Sequence, residues 1–335
     1  MQSNIRSAST KALTGKHFMD IGKVDLSGVE PGTRGWDEAR AAVTASLVAH
    51  GCVVIAHDAL SPELQRPLFD RAMPEIFALP VETRQRNVSS KGKFRGYIGT
   101  GNWDSVSVDE PTEEGNINDF TGLFWPQGNP EFRDVMLQFG RNLLKLKETV
   151  EKMVLESLGV QEENIESHLR SLSHTLRLTH YGALPEDADN RLSMRVHTDF
   201  NFSTMVVQHE VEGLEVQTKD GSWLFIQPEP GTVTYQAGEI LRVYTIKIKC
   251  RHEREGAGLR PCVRTPSNRE RFVVVFGCWS REGAVVSAMD ELIDADHPQM
   301  YNPCRADEFV EFLYSEEGRK CDGDPLKAFC GVARA

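Results

Sequence analysis

Near the middle of the chain, His197-Thr198-Asp199 places an imidazole and a carboxylate two positions apart. On a strand, residues i and i+2 project from the same face, so the two groups converge on one point and could hold a metal ion. With a third ligand from elsewhere, such a pair occupies one face of the metal and leaves three positions open for a cosubstrate and O2. Alone the pattern is weak. With ten histidines, roughly half of one His-x-Asp is expected by chance in a chain of ordinary composition. Context strengthens it: His252 lies 55 residues beyond His197, after several strand-like runs that can return the chain to the same barrel mouth. Arg271 then opens the apolar run Arg271–Phe276. From there its guanidinium can face the interior and grip a dicarboxylate in bidentate fashion.

The elements that must position these groups change character along the chain. Trp36 to His50 reads as a helix stopped by Gly51, followed by the short apolar strand Cys52–Ala56. Ser61 and Pro62 start a second helical region reaching about Leu79, which Pro67 and Pro74 should kink or break. Val81 to about Asp119 is polar, Gly-containing and irregular, the kind of loop where binding groups sit. Residues 130–158 form a long helix, with Phe132, Val135, Phe139, Leu143, Leu146, Val150, Val154 and Leu158 on one apolar face. That helix reads as packing, with no chemistry of its own.

From His174 the period becomes strand-like. The runs are Thr175–Tyr181, Arg195–Phe200, Thr204–His209, Leu214–Thr218, Trp223–Gln227, Thr232–Gln236, Ile240–Thr245 and Arg271–Trp279, with a hairpin turn at Asp220-Gly221. Short strands at this spacing predict an α+β protein with a double-stranded β-helix (jelly-roll) core flanked by helices. The tail from Ala306 reads as helical.

Composition narrows the classes. A formal net charge of −11 over 335 residues argues against a nucleic-acid backbone as main partner, but not against a small acidic substrate. No apolar run approaches the 18 or more residues of a membrane span, so no membrane partner is expected. Residues 1–19 carry Arg6, Lys11 and Lys16 and no acid, and read as a frayed tail rather than a transit signal. Seven cysteines without a CxxC pair suit a reduced, cytoplasmic protein. Oligomeric state is not legible.

At this point the chain resembles the plant-type 2-oxoglutarate/Fe(II)-dependent dioxygenases related to isopenicillin N synthase. Asp20-Ile21-Gly22 and His50-Gly51-Cys52-Val53-Val54 look like the first module of that family. Arg195-Val196-His197-Thr198-Asp199, Gly213-Leu214-Glu215-Val216, Gly221-Ser222-Trp223 and Ala237-Gly238-Glu239 look like its core. Leu123-Phe124-Trp125-Pro126-Gln127-Gly128-Asn129 and Leu326-Lys327-Ala328-Phe329 are similar to the branch of auxin-oxidising and glucosinolate side-chain dioxygenases. The resemblance implies an amino-terminal dioxygenase module (1–125), a packing helix (126–172), the Fe(II)/2-oxoglutarate core (173–285) and a C-terminal helical extension (286–335).

It also implies His197, Asp199 and His252 as iron ligands and Arg271 as the grip on the far carboxylate of 2-oxoglutarate, with Tyr181 and Val273 beside the cosubstrate. Fe(II), 2-oxoglutarate and O2 are then the cofactors, with ascorbate supportive. The substrate is a small organic molecule, best an auxin-like acid such as indole-3-acetic acid. Phe94, Tyr97, Phe124 and Trp125 are candidate substrate contacts.

The chain departs from the family in three ways. The family follows its distal histidine with Arg-Val and reaches the cosubstrate arginine about ten residues later. Here Glu253-Arg254 follows His252 and Arg271 is 19 residues on, so 253–262 reads as an insertion. Val273 stands where a hydroxyl residue usually helps the arginine, a loss of about 1.5–3 kcal/mol. Thr245-Ile246-Lys247 replaces a turn-like Thr-Asn pair. Cys262, which precedes Val263-Arg264, rivals His252 as third ligand, although such oxygenase sites use imidazole and carboxylate. A metal-binding paralogue with impaired turnover, or a jelly roll binding structural Zn(II), are the alternative readings.

Overall fold

The computed structural model describes residues 21–92, 94–185, 192–217, 221–245, 260–266, 268–321 and 323–333. The tail at 1–19, His252 and most of the 253–262 segment lie outside the described residues.

Two facing sheets form the centre. The larger runs β1 (Lys23–Asp25), β2 (Cys52–Ala56), β10 (Thr232–Ala237), β7 (Ser203–Gln208), β12 (Arg271–Ser280), β5 (Leu172–Tyr181), β4 (Trp103–Asp109), β3 (Ile98–Thr100). The smaller runs β6 (Leu192–Met194), β11 (Arg260–Arg264), β8 (Leu214–Gln217), β9 (Trp223–Ile226). Strands from the first third of the chain thus extend both edges of the larger sheet. This is the expected jelly roll.

Side chains alternate across the larger sheet, as the pleat requires. On β12, Val274, Phe276 and Cys278 join the main core, whereas Val273 and Val275 join a second cluster with Leu214, Val216 and Val263 between the sheets. Helices cover the first face. α1 (Arg34–His50) is capped by Thr33 and closed by Gly51 at φ 74, whose N–H bonds Leu47 O. The stretch from Pro62 is broken as its prolines require: α2 (Pro62–Arg66), a π turn (Pro67–Ala72) and α3 (Met73–Phe77). Ser61 makes no side-chain cap bond there.

The long helix comes after two shorter ones, α4 (Val81–Arg84) and α5 (Glu114–Phe124). It is α6 (Pro130–Ser157), with Asn129 accepting from the Phe132 N–H and Pro130 in the first turn. Phe132, Phe139, Leu143 and Val150 are fully buried, each stabilising the fold by about 1.5–3 kcal/mol. α7 (Glu162–Arg170) follows, α8 (Leu241–Tyr244) links β10 to β11, and α9 (Ala306–Tyr314), α10 (Glu316–Arg319) and α11 (Pro325–Cys330) make the helical tail. Among the described residues no helix is long and apolar enough to cross a membrane.

Three expectations need correction. Residues 81–119 are not mainly irregular, since they hold α4, β3, β4 and most of α5. Residues 240–245 form a helical turn rather than a strand. Arg242 must meet Glu239, and i,i+3 partners share a side of a helix but oppose one another on a strand. Arg195–Phe200 has no ladder of its own, since β6 ends at Met194.

One buried polar cluster stitches α6 to the sheet. Lys147 Nζ lies 2.7 Å from Glu151 Oε2, with both side chains at most 2% exposed. Ser203 Oγ and Tyr235 OH donate to Glu151 Oε1 at 3.0 and 3.3 Å. Burial alone would raise the Glu151 pKa, but Lys147 and then His168 outweigh it and hold the carboxyl at about 2, against an ordinary 4.5. Glu151→Ala should therefore cost about 3 kcal/mol of unfolding free energy, since it leaves a buried ammonium uncompensated. A carboxyl with a depressed folded pKa stabilises above its unfolded value. The Glu151 contribution is thus complete above about pH 4.5 and is lost as pH falls through 4.5 toward 2. Urea titrations of both proteins across that range check it, and equal stability at pH 7 would refute it.

Candidate functional site

His197 and Asp199 lie where the chain leaves β6 for β7. The His197 N–H donates to Pro261 O at 3.1 Å, which ties this segment to β11 although it forms no ladder there. His197 Nδ1 is 2.9 Å from Arg195 O. That partner makes Nδ1 the protonated nitrogen and leaves Nε2 free to bind a cation. Nε2 is 3.5 Å from Asp199 Oδ1, close to the ~3 Å between adjacent donors around a metal bound at about 2.1 Å. Burial pulls the His197 pKa down, but the hydrogen bond and charge of Asp199 outweigh it and the value is raised. Burial pushes Asp199 up, and His197 with Thr204 overcomes it, leaving the carboxyl below its ordinary value. The Glu239 N–H holds Asp199 O at 2.8 Å. Gly238 permits that approach, because a Cβ there would meet Asn201 O at 2.1 Å.

The register of β11 decides the fate of Cys262. Val263 pairs with Leu214 and Pro261 with Val216, both partners facing the space between the sheets. Cys262 pairs with Glu215, and its Sγ lies 3.9 Å from Glu215 Oε2 on the other face, where Arg264 also bonds that carboxylate at 3.0 Å. Burial and the Glu215 charge push the Cys262 thiol up to about 11. Cys262 therefore points away from His197 and Asp199, toward Glu215. The inward residue beside His197 is Pro261, which has no donor atom.

His252, nine residues earlier, lies outside the described residues. Deleting Glu253 and Glu255–Cys262 leaves His252-Arg254-Val263, which moves His252 into the strand position held by Pro261. The insertion expected at 253–262 is not loop over Arg260–Cys262, which are β11 residues paired with Gln217, Val216 and Glu215. The deletion puts Arg251, His252 and Arg254 into those strand positions. It should lower the melting temperature by the cost of replacing buried Cys262 with an arginine, while the shortened chain itself costs little. It should also raise 2-oxoglutarate turnover, because the strand position beside His197 would then carry an imidazole in place of Pro261. Loss of iron binding, measured by metal analysis, would show that the removed residues supply a ligand.

Arg271 and Tyr181 pair across β12 and β5. Arg271 is 1% exposed, with its guanidinium 5.0 Å above the Tyr181 ring. Nε donates to Val211 O at 3.2 Å and Nη2 to Gln208 Oε1 at 2.7 Å. Nη1 is buried with no partner, and no carboxylate pairs with this arginine among the described residues. Burial lowers its pKa, which the Tyr181 hydroxyl and the nearby charge of Glu212 only partly offset, and burial likewise raises the Tyr181 phenol. A buried guanidinium with no carboxylate in direct contact is costly. The orphaned Nη1 therefore fits a carboxylate brought by a ligand. Gly213 makes room for the arginine, since a Cβ there would lie 3.0 Å from its Nε. Val273 is buried two residues along the same face.

The candidate substrate contacts separate. Phe94 lines a cavity of about 540 Å³ together with Phe200, Asn201 and Trp279. His197, Asp199 and Arg271 are not part of that lining, although Phe200 and Asn201 directly follow Asp199. Phe124 and Trp125 pack instead into an aromatic cluster with Phe120 and Phe132, because their helix faces α6. Tyr97 is not in the lining either, and its hydroxyl hydrogen-bonds Arg84. Phe200 and Trp279 were missed from sequence. Only the position of Phe200 beside the His-x-Asp gave a usable signal.

A jelly roll with a His-x-Asp pair at its mouth and an unpartnered buried arginine inside is the architecture of a non-haem iron oxygenase. Residues 172–276 match the 2OG-Fe(II) oxygenase superfamily, and residues 21–123 match the N-terminal domain described as non-haem dioxygenase in morphine synthesis. The chain is 33% identical over 297 residues to the probable 2-oxoglutarate-dependent dioxygenase AOP1.2 of Arabidopsis thaliana, covering 87% of this chain and 89% of that one. Among solved structures, the rice dioxygenase for auxin oxidation superposes with a TM-score of 0.77 at 20% identity, covering 93% of this chain and 100% of that one. The 2-oxoglutarate complex of dioxygenase for auxin oxidation 1 from Arabidopsis thaliana gives a TM-score of 0.72 at 18% identity, covering 83% and 100%. The chain belongs to the 2OG-Fe(II) oxygenase superfamily. It is an enzyme of the 2-oxoglutarate-dependent dioxygenase kind that acts on small molecules, and the family uses Fe(II), 2-oxoglutarate and O2.

Proposed function

We propose that the chain oxidises a small organic acid of the auxin type, with indole-3-acetic acid the best single candidate. His197, Asp199 and His252 hold the Fe(II), and Arg271 holds the far carboxylate of 2-oxoglutarate beside Tyr181 and Val273. The observation that carries this reading is the buried Arg271 Nη1 without a partner. It faces the same inter-sheet space as the metal pair and calls for an anion.

Bound iron and keto acid supply the oxidising chemistry, in which O2 uptake and decarboxylation to succinate are coupled to substrate oxidation. The chain's own residues orient and shield. His197 donates Nδ1–H to Arg195 O and presents Nε2, Asp199 stays ionised beside it, and the apolar wall of Val206, Val263, Val273 and Val275 excludes water.

Succinate release from 2-oxoglutarate under Fe(II) and O2, stimulated by indole-3-acetate, tests the proposal. Release without stimulation would move the substrate to another small acid. No release, with zinc rather than iron in the purified protein, would sink the oxygenase reading. The second reading, impaired turnover, is favoured by one observation: the inward β11 position beside His197 is Pro261.

A further inference from the structure

Along the inward face of β12 the order is Arg271, Val273, Val275, Gly277, Trp279. Gly277 pairs with Thr204, which hydrogen-bonds Asp199, so the metal pair sits level with Gly277. The cavity of about 540 Å³ begins at Trp279, on the far side of that pair from Arg271. A co-reactant gripped by Arg271 and a molecule in this cavity would therefore approach the metal from opposite directions. The volume suits a compact small molecule.

Three aromatic rings, Phe94, Phe200 and Trp279, stand in a wall that is otherwise largely polar. Of its three cations, Lys91 and Arg281 are exposed at the rim while Arg95 lies inside. Phe94 lies 6.2 Å from Phe200, and the Arg95 guanidinium stacks 4.9 Å over the Trp279 ring. Arg95 is 10% exposed and bonds Asp109 through Nη1. Its Nε and Nη2 have no acceptor among the described residues. The loop that carries it is fixed from below: Arg177, half-buried, donates to the carbonyls of Phe94 and Gly96 and to Ser105 Oγ. Acidic groups also line the cavity, but none competes with Arg95 inside. Glu282 and Glu311 are exposed at the rim. Glu110 is held by His174 and Asp307 by Arg305.

We propose that this cavity receives the substrate and that Arg95 selects a flat aromatic molecule bearing one carboxylate on a short arm. The ring lies among Phe94, Phe200 and Trp279, and the carboxylate takes the two free N–H donors of Arg95. Asp109 and Trp279 hold the guanidinium in place. The proposal rests on the oxygenase reading above and adds the residue that sets substrate charge.

Calorimetry on the full chain with Mn(II) and 2-oxoglutarate tests it without turnover, using indole-3-acetate and the isosteric indole-3-acetamide as probes. The acid should bind roughly ten- to a hundredfold tighter than the amide. Arg95→Gln should erase that preference, Arg95→Lys should restore part of it, and 2-oxoglutarate affinity should stay unchanged in both. Arg95→Gln combined with Asp109→Asn avoids stranding the aspartate and should behave as Arg95→Gln does. Equal binding of acid and amide by the unmodified chain, no binding of either, or a preference that survives Arg95→Gln would each overturn the proposal. Failure of the oxygenase reading looks different, because 2-oxoglutarate itself would then not bind.

Discussion

Arg271→Ala should weaken 2-oxoglutarate binding by about 2–5 kcal/mol, roughly thirty- to several-thousandfold, while leaving iron binding intact. The size follows from the setting. The guanidinium is 1% exposed, so its bond to an incoming carboxylate forms away from water and is not screened as a surface pair would be. It is also preorganised, since Val211 O, Gln208 and the Tyr181 ring fix three of its sides before any ligand arrives. Arg271→Lys should recover only part of the loss, because an ammonium cannot make the two parallel bonds of a guanidinium. Val273→Ser, one step along the same buried face, should act in the opposite sense and tighten binding by about 0.5–1.5 kcal/mol. Calorimetric titration with 2-oxoglutarate reads all three. An unchanged affinity in Arg271→Ala would move the cosubstrate elsewhere. Arg264 is a poor replacement, since it already bonds Glu215 on the outer face.

The sequence carried those parts of the molecule that obey a period or a spacing. The apolar stripe of α6 and the run beginning at Arg271 announce themselves, because each buries one continuous face. The His-x-Asp pair was legible as well, although for a partly wrong reason. Its two side chains converge without a ladder, held by Pro261 O, Arg195 O and the Glu239 N–H. β4 was hidden because its inward residues Ser105 and Ser107 are polar, buried against Arg177, so only Val106 and Val108 show the strand period. The cavity could not be read at all. Arg95, Phe200 and Trp279 come from three distant segments, and only the fold brings them together. The direction of Cys262 was equally invisible, since spacing gives a position along a strand but its register decides the face.

Removing either of the proposed metal ligands His197 and Asp199 should have the most complete effect. His197→Ala and Asp199→Ala should each abolish iron binding and turnover while leaving the fold intact. The two side chains are 34% and 21% exposed and belong to neither core cluster, so little apolar burial is lost. What is lost is the convergence of Nε2 and Oδ1, without which one donor must hold a dication against water. Asp199→Asn is the sharper variant, because it keeps the bulk and the Thr204 contact while removing the charge, and it should fail nearly as badly. Metal analysis after desalting, read beside thermal melts, checks the set, and full iron occupancy in either alanine variant would refute the assignment. His252→Ala completes the comparison. If His252 is the third ligand, its removal should match Asp199→Ala. If iron survives in His252→Ala, the site works with two protein donors, as expected when the neighbouring strand offers only Pro261 beside His197. Arg271→Ala, which should retain iron in either case, separates a failed metal site from a failed cosubstrate site.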